Sequence, residues 1–227
     1  MTSDEGGKEP NKIVRWAFPL LGWCMIGHFV FLVARTFLNG TPEDTFWISH
    51  VGTLIGGLGA LFRNRWLISV SLVALFAHHL FWLIDTLGWL LTDNFPFGTT
   101  AYLQQAAVGD WLQSANHFFS VPFLLLLAYW QGGVKKQAWV WSTAIFAILV
   151  LISFFFLSPE ANVNSAHRLW PGLDQTPLAI LENLPRGLYL VFLVVLNGLG
   201  NYWPSNLILR GIYAIVLNTR KASLMCV

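Results

Sequence analysis

The stretch ALFAHHLFWLIDTLGW, residues 74–89, sets His78, His79 and Asp85 inside an apolar run. Imidazole and carboxylate groups do much of the general acid–base work of enzymes, and taking either from water is costly unless it is paired. On an α-helix His78 and Asp85, seven residues apart, lie within about 20° on one face, with Trp82 on the stripe between them. His79 points about a third of a turn away. Comparable groups recur in the other apolar runs. His28 and Arg35 share the seven-residue spacing, and His50 opens a run of its own. Asn116, His117 and Ser120 head another, followed by Pro122, which removes a helix hydrogen bond. The segment SPEANVNSAHRLWPG carries Glu160, Asn162, Asn164, His167 and Arg168, and Asn197 and Asn201 stand one turn apart near the end of the last run.

Two kinds of reading compete for these residues. In the catalytic reading, His117 or His78 is a general base and Asp85 orients His78. Ser120, three residues after His117, is a candidate nucleophile. Trp82, His50, Asn116, Asn162, Asn164, Glu160 and Arg35 would bind the ligand. His117, Asp85, His78 and Asn164 are then expected to converge on one cavity, because separate burial would require a separate polar partner for each. In the structural reading, His78 and Asp85 clamp helices together, His28 and His79 are interhelical donors, and Arg35 snorkels to headgroups. Asn162 and Asn164 then cap a loop, while Asn197 and Asn201 pack helices. His50, His117 and Glu160 have metal-ligand chemistry, but their spacing matches no compact metal motif, so no metal is assigned. No motif names a cofactor. Cys24 and Cys226 suggest neither a disulfide framework nor a ligand pair.

The elements that must position these groups follow from composition. Of 227 residues, 56% are hydrophobic and 11% charged, and mean hydropathy is +0.58. Soluble domains carry roughly 25% charged residues, so an all-α polytopic membrane bundle is expected. Six apolar runs, 17–38, 47–62, 66–91, 112–130, 138–157 and 187–204, approach the length of about 20 residues that spans a bilayer core. The second carries Gly52, Gly56, Gly57 and Gly59, a small-residue pattern that places it inside the bundle. Residues 1–16 read as a polar tail, 17–210 as the six-span domain, and 211–227 as a cytoplasmic or interfacial tail. Trp23 is too bulky for a lipoprotein cleavage box ending at Cys24, and no A-x-A site follows, so the first run is expected to be retained.

Basic residues fall on one side of this plan: Lys8, Lys12, Arg15, Arg63, Arg65, Lys135, Lys136, Arg210, Arg220 and Lys221. The other side holds Glu43, Asp44, Asp93, Asp110, Glu160, Asp174 and Glu182, with Arg168 and Arg186. The positive-inside bias puts both termini in the cytoplasm. Tryptophans such as Trp16, Trp47, Trp66, Trp111, Trp130 and Trp203 lie near run ends, as an interfacial belt requires.

The order FWISH (46–50), HLFWLID (79–85), His117 with Pro122, and SPEANVN (158–164) resembles an uncharacterised family of bacterial polytopic membrane-associated proteins. The resemblance covers most of residues 20–210 and implies a bacterial cytoplasmic (inner) membrane location. In that pattern acidic residues often stand where this chain has His50 and His79, so the chain is richer in histidine. No activity comes with the resemblance. The leading functional expectation is a polar His/Asp/Asn pocket toward the outer leaflet, serving a hydrolase or acyltransferase that acts on a lipid or amphiphile. Its rivals are a small-solute or proton transporter and a structural subunit of a membrane complex. The expected partners are the bilayer and an amphiphilic substrate, not nucleic acid, and no oligomeric state is specified.

Overall fold

The computed structural model describes residues 12–170 and 176–225, with side chains to 219. Lys8, Asp174 and Cys226, and most of the expected N-terminal tail, lie outside the described residues. The described chain is helical and contains no strand. In order it forms α1 (Lys12–Leu38), a 3-10 turn (Pro42–Phe46), α2 (Ile48–Leu61) and α3 (Arg65–Thr92). A second 3-10 turn (Ala101–Gln105), α4 (Val108–Gln113), α5 (Asn116–Trp130) and α6 (Ala138–Phe156) follow. After 3-10 segments at Val163–Ser165 and Pro177–Asn183 come α7 (Arg186–Val195), a π-helical stretch (Leu196–Tyr202) and α8 (Trp203–Met225).

Three helices, α1, α3 and α6, are long and apolar enough to cross a membrane. The chain is a membrane protein on that ground. Their surfaces carry large exposed apolar side chains such as Leu20, Phe37, Leu91, Ile148 and Phe155, which suit lipid rather than water. Helices α2 and α5 are shorter, with 14 and 15 residues, or about 21–22 Å against a hydrocarbon core of about 30 Å.

Glycine explains how α2 fits. A Cβ on Gly57 would lie 2.8 Å from Ile26 and 3.1 Å from the Gly22 carbonyl of α1. On the opposite flank a Cβ on Gly52 would lie 2.6 Å from Leu75 of α3. Ser71 of α3 donates to the Gly52 carbonyl at 2.7 Å. So α2 lies between two long helices at backbone distance, in the interior position expected from its glycines. These contacts also fix direction. Gly22 meets Gly57 while Thr36 reaches Thr45, so α1 and α2 are antiparallel. Trp82 meets His117 while Arg65 donates to the Gly132 and Gly133 carbonyls, so α3 and α5 are antiparallel as well.

Two expectations change. The fourth run, 112–130, is broken: α4 ends at Gln113, and α5 begins afresh at Asn116. The sixth run does not stop at 204, nor does a separate tail begin at 211. Helix continues from Arg186 through the π stretch to Met225. The reason is packing: Leu209 and Tyr213 are buried, and the Tyr213 hydroxyl donates to the Leu125 carbonyl at 2.6 Å. Residues 209–213 therefore belong to the bundle.

Candidate functional site

The short helices create the site. Because α2 and α5 start deeper than the ends of α1 and α3, a recess remains above their first turns. The 3-10 turn 42–46, the 101–105 turn and α4 wall it. A cavity of about 440 Å³ results, within the range of about 300–1,000 Å³ common for small-molecule sites.

His50 and His117 sit in the first turns of α2 and α5 and both line this cavity. Each imidazole is tethered the same way. His50 Nδ1 donates to the Asp44 carbonyl at 2.6 Å, and His117 Nδ1 donates to the Ser114 carbonyl at 3.0 Å. A proton held on Nδ1 leaves Nε2 as the acceptor of the neutral ring. Neither Nε2 has a hydrogen-bond partner among the described residues. Trp82 of α3 stacks on His117 at 4.5 Å between ring centroids with a 17° interplanar angle. Its Nε1 donates to the Tyr102 hydroxyl at 3.0 Å, which lies 3.2 Å from Ser114 Oγ. Burial pushes the Tyr102 phenol up, so it remains a neutral hydroxyl.

Carboxylates complete the rim. Asp110 of α4 forms an ion pair with Arg35 at 2.6 Å and also accepts from the Ala107 amide at 2.9 Å. The Arg35 guanidinium, followed by that amide, holds the Asp110 carboxyl below its ordinary range. A Cβ on Gly109 would run into the same guanidinium, so only glycine leaves Arg35 its place. Asp44 Oδ1 accepts from Trp47 Nε1 at 3.1 Å. Trp47 in turn meets Trp170 edge to face at 5.1 Å and 73°.

The other expected site residues lie elsewhere. Asp85 does not orient His78. It is fully buried, and its carboxylate accepts from the amides of Phe97 (2.6 Å), Gly98 (3.2 Å) and Thr100 (2.7 Å). The hydroxyls of Thr99 and Thr100, both at 2.9 Å, complete five bonds. Asp85 thus pins the segment after α3 back onto that helix. His78 faces the far side of α3, where Nε2 lies 3.1 Å from Asn201 Nδ2 and 3.2 Å from the Tyr202 hydroxyl, both of the π stretch. The expected fourfold convergence of His117, Asp85, His78 and Asn164 is therefore overturned. A seven-residue helical spacing aligns two side chains but does not give them one partner.

Ser120 is fully buried, with its Oγ 3.0 Å from Thr53 Oγ1, and joins α5 to α2 instead of facing the cavity. Asn116 Nδ2 donates to the Ser49 carbonyl at 3.1 Å, across the same interface. Asn164 caps α2 from a distance: its Oδ1 accepts the Ile48 amide and its Nδ2 donates to the Phe46 carbonyl, both at 2.9 Å. Asn162 Oδ1 accepts from the His167 and Arg168 amides and closes its own loop. Glu160 is exposed, and the Ser158 hydroxyl at 2.8 Å holds its carboxyl low. His79 is not an interhelical donor. It is fully buried 4.4 Å from the His117 ring, and neither nitrogen has a partner among the described residues.

Of the expected site residues, the structure places His117, His50 and Trp82 together in the cavity, with Arg35 behind Asp110 at its rim. Asp44, Trp47, Tyr102, Ser114 and Trp170 line it too and did not stand out from sequence. A signal existed. Each cavity histidine lies six or seven residues after an aspartate, Asp44 before His50 and Asp110 before His117, which spans one tight turn into a helix start. Among the described residues no group of three His, Cys, Asp or Glu could hold a metal ion.

Comparison with protein-family models, curated proteins and solved structures found no match to this chain.

Proposed function

We propose that the chain is an integral membrane protein of six spans with both termini in the cytoplasm. Its cavity would face the outer leaflet and act on an amphiphile by hydrolysis or acyl transfer. One observation carries the chemistry: two imidazoles, each with Nδ1–H tied to a backbone carbonyl, line one cavity with Nε2 unengaged. That arrangement fits a proton acceptor. Charge supports the orientation, since Asp44, Asp93, Asp110 and Glu160 cluster at the cavity end while Arg15, Arg63, Arg65, Lys135 and Lys136 cluster at the other. The resemblance of its short motifs supports a bacterial cytoplasmic membrane as the location.

With Ser120 sealed in a helix interface, direct attack suits the geometry better than an acyl-serine. A water molecule gives its proton to Nε2 of His117 as its oxygen bonds to the ester carbonyl carbon. When the carbon–oxygen bond to the alcohol breaks, the same proton passes from Nε2 to the departing oxygen. In acyl transfer a second hydroxyl replaces the water. Below the histidines, buried Thr53, Ser120, Met25 and Leu124 fill the bundle, which favours a pocket over a conduit. The test is mass spectrometry of acyl release or transfer in vesicles of bacterial phospholipids containing the purified protein. His117→Gln should slow turnover by about 100-fold, the usual scale for a general base, whereas Ser120→Ala should retain it. Wild-type protein that leaves the lipids unchanged, or equal rates with His117→Gln, would refute the enzymatic reading.

A further inference from the structure

The walls of the cavity say what it can hold. None of its lining residues is Lys or Arg. The nearest guanidinium, Arg35, is neutralised by Asp110 at 2.6 Å. Asp44 has no such partner: Oδ1 accepts from Trp47 Nε1, and Oδ2 has none among the described residues. With neutral imidazoles the site therefore carries one uncompensated negative charge. The imidazole and Trp82 donors are also spent. The Nδ1 protons of His50 and His117 go to carbonyls, and the Trp82 N–H goes to Tyr102. What remains toward a ligand is a carboxylate oxygen, two imidazole Nε2 acceptors, aromatic surface and the uncharged N–H of Trp170. Trp47 and Trp170, set at 73° with centroids 5.1 Å apart, form a corner beside Asp44.

From this we infer that the cavity selects a cationic headgroup, a protonated or quaternary amine. Aromatic walls attract cations through the negative face of the ring, and a carboxylate at their edge supplies the countercharge. An anionic headgroup would meet the Asp44 charge with no Lys or Arg in the lining to receive it. The inference rests on reading the cavity as a ligand site. The amine can arrive in two forms, as the headgroup of an ethanolamine or choline lipid or as a free soluble amine.

The test is titration of tryptophan fluorescence, backed by calorimetry, on the full-length protein in maltoside detergent. Five probes separate the possibilities: choline, ethanolamine, dihexanoylphosphatidylethanolamine, dihexanoylphosphatidylglycerol and 3,3-dimethylbutanol, the uncharged shape analogue of choline. A cationic probe should bind about tenfold or more tightly than the uncharged analogue. Asp44→Asn should weaken it by about tenfold, as expected for a lost charged partner, and Trp170→Leu should weaken it with the melting temperature unchanged. Binding of the ethanolamine lipid without free ethanolamine supports a bilayer source, and binding of the free amines supports a soluble one. Equal binding of 3,3-dimethylbutanol or of the glycerol lipid overturns the charge selectivity while leaving a ligand pocket in place. No saturable binding of any probe also overturns it, and the acyl-turnover assay then decides separately whether the pocket reading survives.

Discussion

Replacing Asp85 with leucine tests the account of that carboxylate most directly. If Asp85 were a charge clamped to one neighbour, leucine would remove both the charge and its desolvation cost, and the change would be mild. The structure gives the opposite expectation. The carboxylate receives five hydrogen bonds from residues 97–100, three of them from backbone amides that no rotamer can redirect. A hydrogen bond to a charged group contributes about 1.5–3 kcal/mol. The sum is not recoverable in full, because the segment can lift away and let water satisfy the amides. The cost is therefore limited by local opening, and Asp85→Leu should lose about 3–5 kcal/mol, the scale for breaking a buried charged network. Asp85→Asn keeps the shape but turns an N–H₂ toward other donors, so about 2 kcal/mol is expected.

Chemical unfolding in detergent gives the energies, and amide exchange at 97–100 locates the loss. Exchange there should rise far more than in α6. A double-mutant cycle with His78→Leu adds a second check. The two residues stand about 10 Å apart along α3 with no shared partner, so their effects should add within about 0.5 kcal/mol. An Asp85→Leu protein within about 1 kcal/mol of wild type, or a larger coupling to His78, would refute this reasoning.

Gly57→Leu should destabilise the bundle by about 1–3 kcal/mol, measured by the same unfolding assay, because its side chain would meet Ile26 and the Gly22 backbone. The Arg35–Asp110 pair gives a pH signature. The Asp110 carboxyl is held low in the folded protein by Arg35, so its stabilisation is present above the ordinary carboxylate pKa of about 4 and is lost as pH falls through the lowered folded value. Its side chain is 41% exposed, so the effect is small and fades with salt; melting scans against pH should flatten on the acid side in Asp110→Asn. Single cysteines at 43, 93 and 160, in a chain lacking Cys24 and Cys226, should react with an impermeant thiol reagent in intact cells. Labelling at 63 or 135 would overturn the proposed orientation.

Helical architecture was legible because its causes are local. A long apolar run in a chain with 11% charge has one cheap way to satisfy its backbone in lipid, and the glycines of α2 announce a close approach. The boundaries failed where tertiary contact decided them. Gln113 and Asn116 belong to one apolar run by hydropathy, yet α4 ends at Gln113, the Ser114 carbonyl accepts from the amide and Nδ1 of His117, and α5 starts again at Asn116. Likewise Leu209 and Tyr213 look like a weak apolar tail until α5 supplies a carbonyl for the tyrosine.

The site was half legible for a related reason. Sequence marks which groups are costly to bury but not which partner relieves the cost. Asp85 and His117 raised the same question, and the chain answers it differently in each case. Asp85 is relieved by the loop that follows its own helix, so every lone pair in reach is occupied and nothing is left to act on a ligand. His117 is relieved on one nitrogen only, by a carbonyl three residues earlier. That contact fixes the ring without consuming its acceptor, and the recess left by a 15-residue helix places the acceptor beside open space. Chemical availability inside this bundle thus comes from incomplete satisfaction: the residue that is tied once, beside a void, is the one equipped to react.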